Sequence, residues 1–262
     1  MPGSNRRTTA LITGASSGIG YELAKVFAHE GYDLVLVARS EDKLLERAGE
    51  ISTSSGVTVT VMVSDLSLPA GPIEVCRELD CHDIPVDVLV NNAGFGLHGY
   101  FAATDWQQEL AMISTNVISL TRLTKLLLPA MLARGSGKIL NVASTAAFQP
   151  GPLMAVYYAT KAYAWSFSEA LRDELRGSGV SVTTLCPGPT RTNFARRASA
   201  QHVRLFRGPL SDPAEVARAG YAGLMRHRAL VIPGWRNRLG YWLARVLPRS
   251  WVIAFSRFAT AA

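Results

Sequence analysis

Cysteine is scarce. Only Cys76, Cys81 and Cys186 stand among 262 residues, too few to staple a chain of this length, so a disulfide-built secreted scaffold is excluded. Cys76 and Cys81 are close in sequence, but no second pair or His-x-His cluster completes a zinc set, and no metal site is expected. Reduced, mostly packed thiols fit a cytoplasmic protein. Long apolar runs are also missing, and none approaches the ~20 residues that a membrane-spanning helix needs. Arg6-Arg7 ahead of Ala10-Leu11-Ile12 looks superficially like a twin-arginine leader. The apolar stretch stops at Gly14-Ala15-Ser16-Ser17-Gly18, however, and a basic lead-in to a first strand is the better reading. No Ser- or Pro-rich linker divides the chain, and nothing repeats at a period of roughly 20–50 residues. With 48% hydrophobic and 18% charged residues the chain is not disordered, and one domain over residues 1–262 is expected.

Acidic residues and lysine are almost absent from the last quarter. Residues 191–262 carry 13 arginines, no lysine and only Asp212 and Glu215, whereas residues 1–190 carry 14 Lys+Arg against 18 Asp+Glu. The net charge of +7 is therefore local to one end. No recognised nucleic-acid module accompanies it, and no nucleic-acid partner is expected. Arginines in such number suit an anionic substrate, a phosphate group, an anionic lipid surface or plain solvation.

Apolar runs alternate with helical patterns. Thr9–Thr13, Asp33–Ala38, Val57–Val63, Val86–Val90, Lys138–Val142, Val180–Leu185 and Leu230–Ile232 read as strands. Helices are expected at Ile19–His29, Glu41–Ile51, 72–80, 105–134 and 155–177, with Pro129 bending or dividing the fourth. Parallel strands need crossover helices, so the pattern predicts an α/β, doubly wound (Rossmann), mostly parallel seven-stranded sheet with helices on both faces.

Gly14, Gly18 and Gly20 sit between the first strand and the first helix. Such glycines let the backbone turn sharply and approach a pyrophosphate, which the helix N-terminus then receives on unpaired N–H groups. A trio of this kind is a weak signal alone and a stronger one between a buried strand and an amphipathic helix; the competing reading is a structural turn. Where an acidic residue would bind the adenosine ribose 2′-hydroxyl, the second strand ends in Ala38-Arg39-Ser40. A guanidinium suits a phosphate monoester, so NADP (NADPH) is favoured over NAD unless Arg39 is merely solvated.

Tyr157 and Lys161 are four apart on an expected helix and share a face. A phenol near pKa ~10 is a poor acid–base group at neutral pH, and a neighbouring ammonium is expected to lower it. Tyr158, three from Lys161, is a decoy. Ser144 ends the fifth strand, where open α/β sheets place ligands, and its hydroxyl is suited to hold a substrate oxygen. Asn116 lies inside a helix, an unfavourable place for asparagine, and the bland reading there is a solvent-facing residue.

Together these pieces resemble the short-chain dehydrogenase/reductase family in its compact form. The match runs over residues 9 to 192 through Thr13-Gly14-Ala15-Ser16-Ser17-Gly18-Ile19-Gly20, Asp65-Leu66, Asn91-Asn92-Ala93-Gly94, Asn116, Ser144, Tyr157-x-x-x-Lys161 and Pro187-Gly188. The resemblance implies catalysis by Asn116, Ser144, Tyr157 and Lys161. It also implies cofactor contacts by Gly14, Ser16, Ser17, Gly18, Ile19, Gly20, Arg39, Asp65, Leu66, Asn92, Ala93, Gly94, Tyr157, Lys161, Pro187, Gly188, Thr190 and Thr192. The resemblance further implies that Asp65 lies by the adenine, Asn91 by the adenosine ribose and Thr192 by the nicotinamide carboxamide. Lys161 holds the nicotinamide ribose, and Asn116 supports a helix distortion and a water-mediated proton relay. The implied activity is hydride transfer between a nicotinamide and a carbonyl or secondary alcohol. The alternative is a non-catalytic NADP-binding or membrane-associated relative. A homodimer or homotetramer is implied as well.

Residues 193–262 match no motif. The connection 190–212, with Arg191, Arg196, Arg197, Arg204 and Arg207 among Phe194, Val203, Leu205 and Phe206, is a candidate substrate lid for an apolar or amphipathic carbonyl compound. Phe95, Leu97, His98 and Tyr100 are candidates for the same cleft, with His98 a pocket or surface residue rather than a ligand. In the basic extension 236–262, Leu239, Trp242, Leu243, Val246 and Leu247 recur at helical spacing, and Trp251, Val252, Phe255 and Phe258 resume after Pro248. Packing on the body or a second subunit is the commoner fate of such helices, and peripheral contact with a membrane is the other.

Overall fold

The computed structural model describes residues 7–261; Arg6 of the basic lead-in and Ala262 of the C-terminal extension lie outside them. Seven strands, β1 (Thr9–Thr13), β2 (Asp33–Ala38), β3 (Val59–Val63), β4 (Val88–Asn91), β5 (Gly137–Val142), β6 (Val180–Leu185) and β7 (Leu230–Val231), form one sheet in the order β3-β2-β1-β4-β5-β6-β7. Every pairing is parallel. Strand β1 is buried along its whole length because helices cover both faces, which is why its sequence is apolar without alternation.

The larger helices in chain order are α1 (Gly18–His29), α2 (Glu41–Ser55), α3 (Gly71–Cys81), α4 (Trp106–Ile113), α5 (Leu120–Arg134) and α6 (Ala155–Glu174). Two four-residue helices, α7 (Phe194–Arg197) and α8 (Arg204–Arg207), precede α9 (Pro213–Met225), α10 (Trp235–Val246) and α11 (Arg249–Thr260). On one face of the sheet Leu23, Phe27, Leu44, Ile51, Val216 and Leu224 bring α1, α2 and α9 against Leu34 and Leu36. On the other, Leu79, Leu123, Met131 and Leu171 of α3, α5 and α6 cover Leu11, Leu89 and Val182. The doubly wound Rossmann arrangement expected from the pattern is thus present.

The long helix expected over 105–134 is not divided at Pro129, which sits inside α5. The break lies earlier, where Ser114–Ser119 adopt a π-helical turn between α4 and α5. Such a turn widens the helix by one residue, and here it carries Asn116, 2% exposed, so the reading of that asparagine as solvent-facing is corrected. Several expected boundaries shift. The third strand starts at Val59 rather than Val57, the second helix runs on to Ser55, and α6 stops at Glu174.

Candidate active site

Strands β1 and β4 are neighbours although β2 and β3 lie between them in sequence, so the chain leaves their carboxyl ends in opposite directions and opens a crevice there. A cleft of about 570 Å³ fills it. The turn after β1 forms its floor. Gly14 has φ +68°, a conformation costly for a side chain, and a Cβ on Gly20 would collide with the Gly14 carbonyl and the Asn92 amide. Thr13 stitches the two strand ends together: its hydroxyl donates to the Val90 carbonyl (3.2 Å) and accepts from the Asn92 and Ala93 N–H groups (3.0 Å each). The Asn92 side chain donates back to the Thr13 carbonyl at 2.8 Å. Ser16, Ser17, Gly18 and Ile19 line the cleft at the N-terminus of α1, and the Ser17 hydroxyl, at the N-cap position, makes no capping bond to the helix.

At the far end of this floor the Asp65 carboxylate accepts from the Ser67 N–H (2.9 Å) and hydroxyl (2.7 Å) and faces Arg39 at 3.7 Å. Burial works to raise its pKa, but the Ser67 bonds and the Arg39 charge outweigh it and leave the carboxyl below its usual range. Arg197 lines the same cleft, and its pKa is lowered by burial and then by the like charges of Arg39 and Arg196.

At the other end stand Ser144, Tyr157 and Lys161. Ser144 follows β5 and accepts from the Ala146 N–H at 3.1 Å. Tyr157 and Lys161 are both buried on α6, with the Lys161 ammonium 5.9 Å from the Tyr157 ring centre and donating to the Val142 carbonyl at 2.9 Å. Asn116 stands behind them. Its amide donates to the Phe95 carbonyl (2.9 Å) and the Thr160 hydroxyl (3.0 Å), and its carbonyl accepts from the Phe95 N–H (3.1 Å). The π turn thereby ties the loop after β4 to the helix carrying the tyrosine and lysine.

The expected lowering of the Tyr157 pKa by its ammonium is not found in this arrangement. Burial pushes the phenol well above its usual value, and the Ser144 hydroxyl pulls the other way. The physical reason is that Lys161 is itself desolvated, which brings its pKa down to about 8, and its ammonium is turned to a backbone carbonyl. Asn91 is also corrected. Its side chain is buried and its amide donates to Thr124 (3.0 Å) and Asn141 (2.9 Å), a polar tie below the cleft rather than part of its lining.

Of the residues singled out in the sequence, Gly14, Arg39, Asp65, Leu66, Ala93, Gly94, Pro187, Gly188, Thr190 and Thr192 also line the cleft, while Gly20 and Asn116 support it from behind. Phe95 reaches the wall, but Leu97 and Tyr100 line a separate small cavity, and His98 is bonded to the Thr260 carbonyl at 2.9 Å. The decoy Tyr158 is in the wall too. Sequence reasoning missed Gln108, Met154, Phe255 and Ala259. For the last two, the one usable signal was their four-residue spacing on a helix; nothing in the sequence tied that helix to the cleft.

A family model described as short chain dehydrogenase matches residues 8–203. The very-long-chain 3-oxoacyl-CoA reductase of Anas platyrhynchos is 32% identical over 248 residues, which cover 93% of this chain and 77% of the relative. A short-chain dehydrogenase from Sphingobium yanoikuyae, solved in complex with NADPH, is 33% identical with a TM-score of 0.81, covering 93% of this chain and 97% of that one. A short-chain dehydrogenase/reductase from Burkholderia phymatum, solved with NAD, is 25% identical with a TM-score of 0.83 over 98% of this chain and 97% of that one. The chain belongs to the short-chain dehydrogenase/reductase family of oxidoreductases. Among the described residues no helix is long and apolar enough to cross a membrane.

Proposed function

We propose that this protein is an NADPH-dependent carbonyl reductase, reversible as an alcohol dehydrogenase, that works as one catalytic domain on an apolar or amphipathic ketone. One observation carries the reading: a single continuous cleft holds the glycine turn and Arg39 at one end and Ser144, Tyr157 and Lys161 at the other. The donor set fits a phosphorylated dinucleotide. The α1 N-terminus and the uncommitted Ser17 hydroxyl suit a pyrophosphate. Arg39 and Arg197, whose like charges repel, suit a ribose phosphate that would neutralise both. Lys161 would hold the nicotinamide ribose, and Thr190 and Thr192 would border the nicotinamide. When bound, that cofactor supplies a hydride.

The protein's own residues do the rest. Ser144 positions the carbonyl oxygen of the substrate, and Tyr157 donates a proton to it as negative charge develops. The raised pKa keeps the phenol protonated at neutral pH, as a proton donor must be. Lys161, charged below about pH 8, stabilises the phenolate left behind. Asn116 keeps the geometry by clamping Phe95 to Thr160. Phe194, Leu205 and Phe206 of the 190–212 connection line the cleft, which supports the lid reading and an apolar substrate. Exposed Ile118, Leu126 and Leu132 on the π turn and α5 are a suitable face for homo-oligomer formation.

Replacing the phenol tests this directly. Tyr157→Phe should cut NADPH oxidation with ketones by about 10²–10⁴-fold, while NADPH still quenches intrinsic fluorescence as in the parent. Retained turnover would refute the assignment.

A further inference from the structure

Helices α10 and α11 wear their apolar residues on the outside. Along α10, Trp235, Leu239, Trp242 and Val246 follow at helical spacing and are all exposed, Val246 to 74%. The side turned to the body carries Asn237, Tyr241 and Ala244. Along α11, Trp251, Phe255 and Phe258 are exposed, whereas Val252, Ser256 and Thr260 are buried. Helices on a globular body ordinarily turn their apolar stripe inward.

Both helices are nonetheless anchored near the catalytic loop. Tyr241 packs edge-on against Phe148, at 4.6 Å between ring centres, just after Ser144. The Thr260 hydroxyl donates to the Pro152 carbonyl at 2.8 Å. Tyr241, Val252 and small or polar groups therefore dock the helices, while Trp235, Trp242, Trp251, Phe255 and Phe258 face solvent. The charge on this segment has one sign: residues 235–261 contain Arg236, Arg238, Arg245, Arg249 and Arg257 and no acidic residue. A two-fold contact with a second copy would press these arginines toward their own images, which like-charge repulsion disfavours. An anionic lipid surface satisfies both halves, since phosphates receive the guanidinium groups and the interface receives tryptophan and phenylalanine rings. The face also continues into the cleft, because Phe255 is 70% exposed and at the same time lines it, with Ala259 one turn further on.

We propose that α10 and α11 form a docking face for an anionic phospholipid surface, and that docking turns the cleft mouth toward the bilayer so that a lipid-like ketone enters from it. The docking rests on exposure and charge; the entry route rests on the reductase reading above.

Flotation of the full chain with phosphatidylcholine vesicles, with and without phosphatidylglycerol, tests the docking. Binding should be at least about tenfold tighter to the anionic vesicles and should fall by a similar factor in roughly 0.5 M NaCl. The double variant Trp242→Glu/Val246→Glu, outside the cleft, should lose about tenfold or more while binding NADPH as the parent does. If that variant does not fold, Arg238→Gln/Arg249→Gln should weaken binding to anionic vesicles alone. Equal binding with and without phosphatidylglycerol, or no binding, overturns the proposal. So does light scattering that finds a dimer in the parent and a monomer in the double variant. For entry, a long-chain ketone dissolved in the vesicles should be reduced about fivefold more slowly by the double variant, and a water-soluble ketone equally fast by both. Equal rates on the dissolved ketone overturn the entry route. Absence of turnover with every ketone, with flotation intact, would instead fault the reductase reading.

Discussion

Helices α1 and α11 are each 12 residues long, and both border the same cleft, yet they are built inside out relative to one another. In α1, Leu23 and Phe27 are buried and Lys25 and His29 are exposed. Phe27 lies edge-on to Tyr32 and Tyr221, at 5.2 and 5.0 Å between ring centres. In α11 the aromatic rings are outside, and Ser256 and Thr260 are inside. The difference lies in what each helix finds when it docks. Helix α1 meets a bare apolar sheet face and buries large side chains on it. Helix α11 meets a body already covered on both faces, where backbone carbonyls and the His98 ring are what remain to be satisfied. The same helical period therefore produces a core element in one place and a rim with an outward apolar face in the other.

The sharpest way to break this comparison is a pair of phenylalanine truncations. Phe27→Ala should destabilise the protein by about 3–5 kcal/mol, seen as a large drop in Tm, because it opens a cavity in a packed aromatic cluster. Phe258→Ala, on the exposed stripe, should stay within roughly 0.5 kcal/mol of the parent. Similar losses from the two would mean that α11 is packed as α1 is.

A smaller effect separates rim from floor in catalysis. Phe255→Ala should raise KM for bulky apolar ketones by about tenfold, near the loss expected for removing one apolar contact surface from a pocket, and leave KM for NADPH as it was. An equal change in both constants would put Phe255 in a general structural role.

The pH dependence should change least. In the reaction proposed above, reduction needs Tyr157 protonated, which its raised pKa secures, and Lys161 charged. With Lys161 titrating at about 8, kcat/KM for reduction should be flat below that pH and fall above it. Helix α11 carries only Arg249 and Arg257 as ionisable side chains, so Phe255→Ala should leave that limb in place. A limb that moved with the rim variant would tie the rim to the proton chemistry.

Much of the floor was legible beforehand because its residues are dictated by backbone geometry. Gly14 and Gly20 are required where the chain turns and crowds, and Tyr157 and Lys161 share a face by spacing alone. Asn116 was legible as an anomaly, a poor helix former in a helix, and the π turn explains it. The Lys161 effect on Tyr157 was misread because spacing says nothing of desolvation, which governs both groups here. Asn91 was misplaced because alternate strand residues face opposite sides, and only the sheet shows that its side chain turns to Thr124 and Asn141 instead of lining the cleft.

The order of strands and helices, the glycine turn, the tyrosine–lysine pair and the arginine bias of the last quarter were all determined by the amino-acid sequence alone, since each follows from local backbone preference or from counting. Which way α10 and α11 turn their apolar faces, and that Phe255 and Ala259 reach the wall of a cleft begun at Gly14, was decided only by the tertiary structure. Periodicity defines a face on a helix, but the direction it points depends on what surface the rest of the chain has left uncovered.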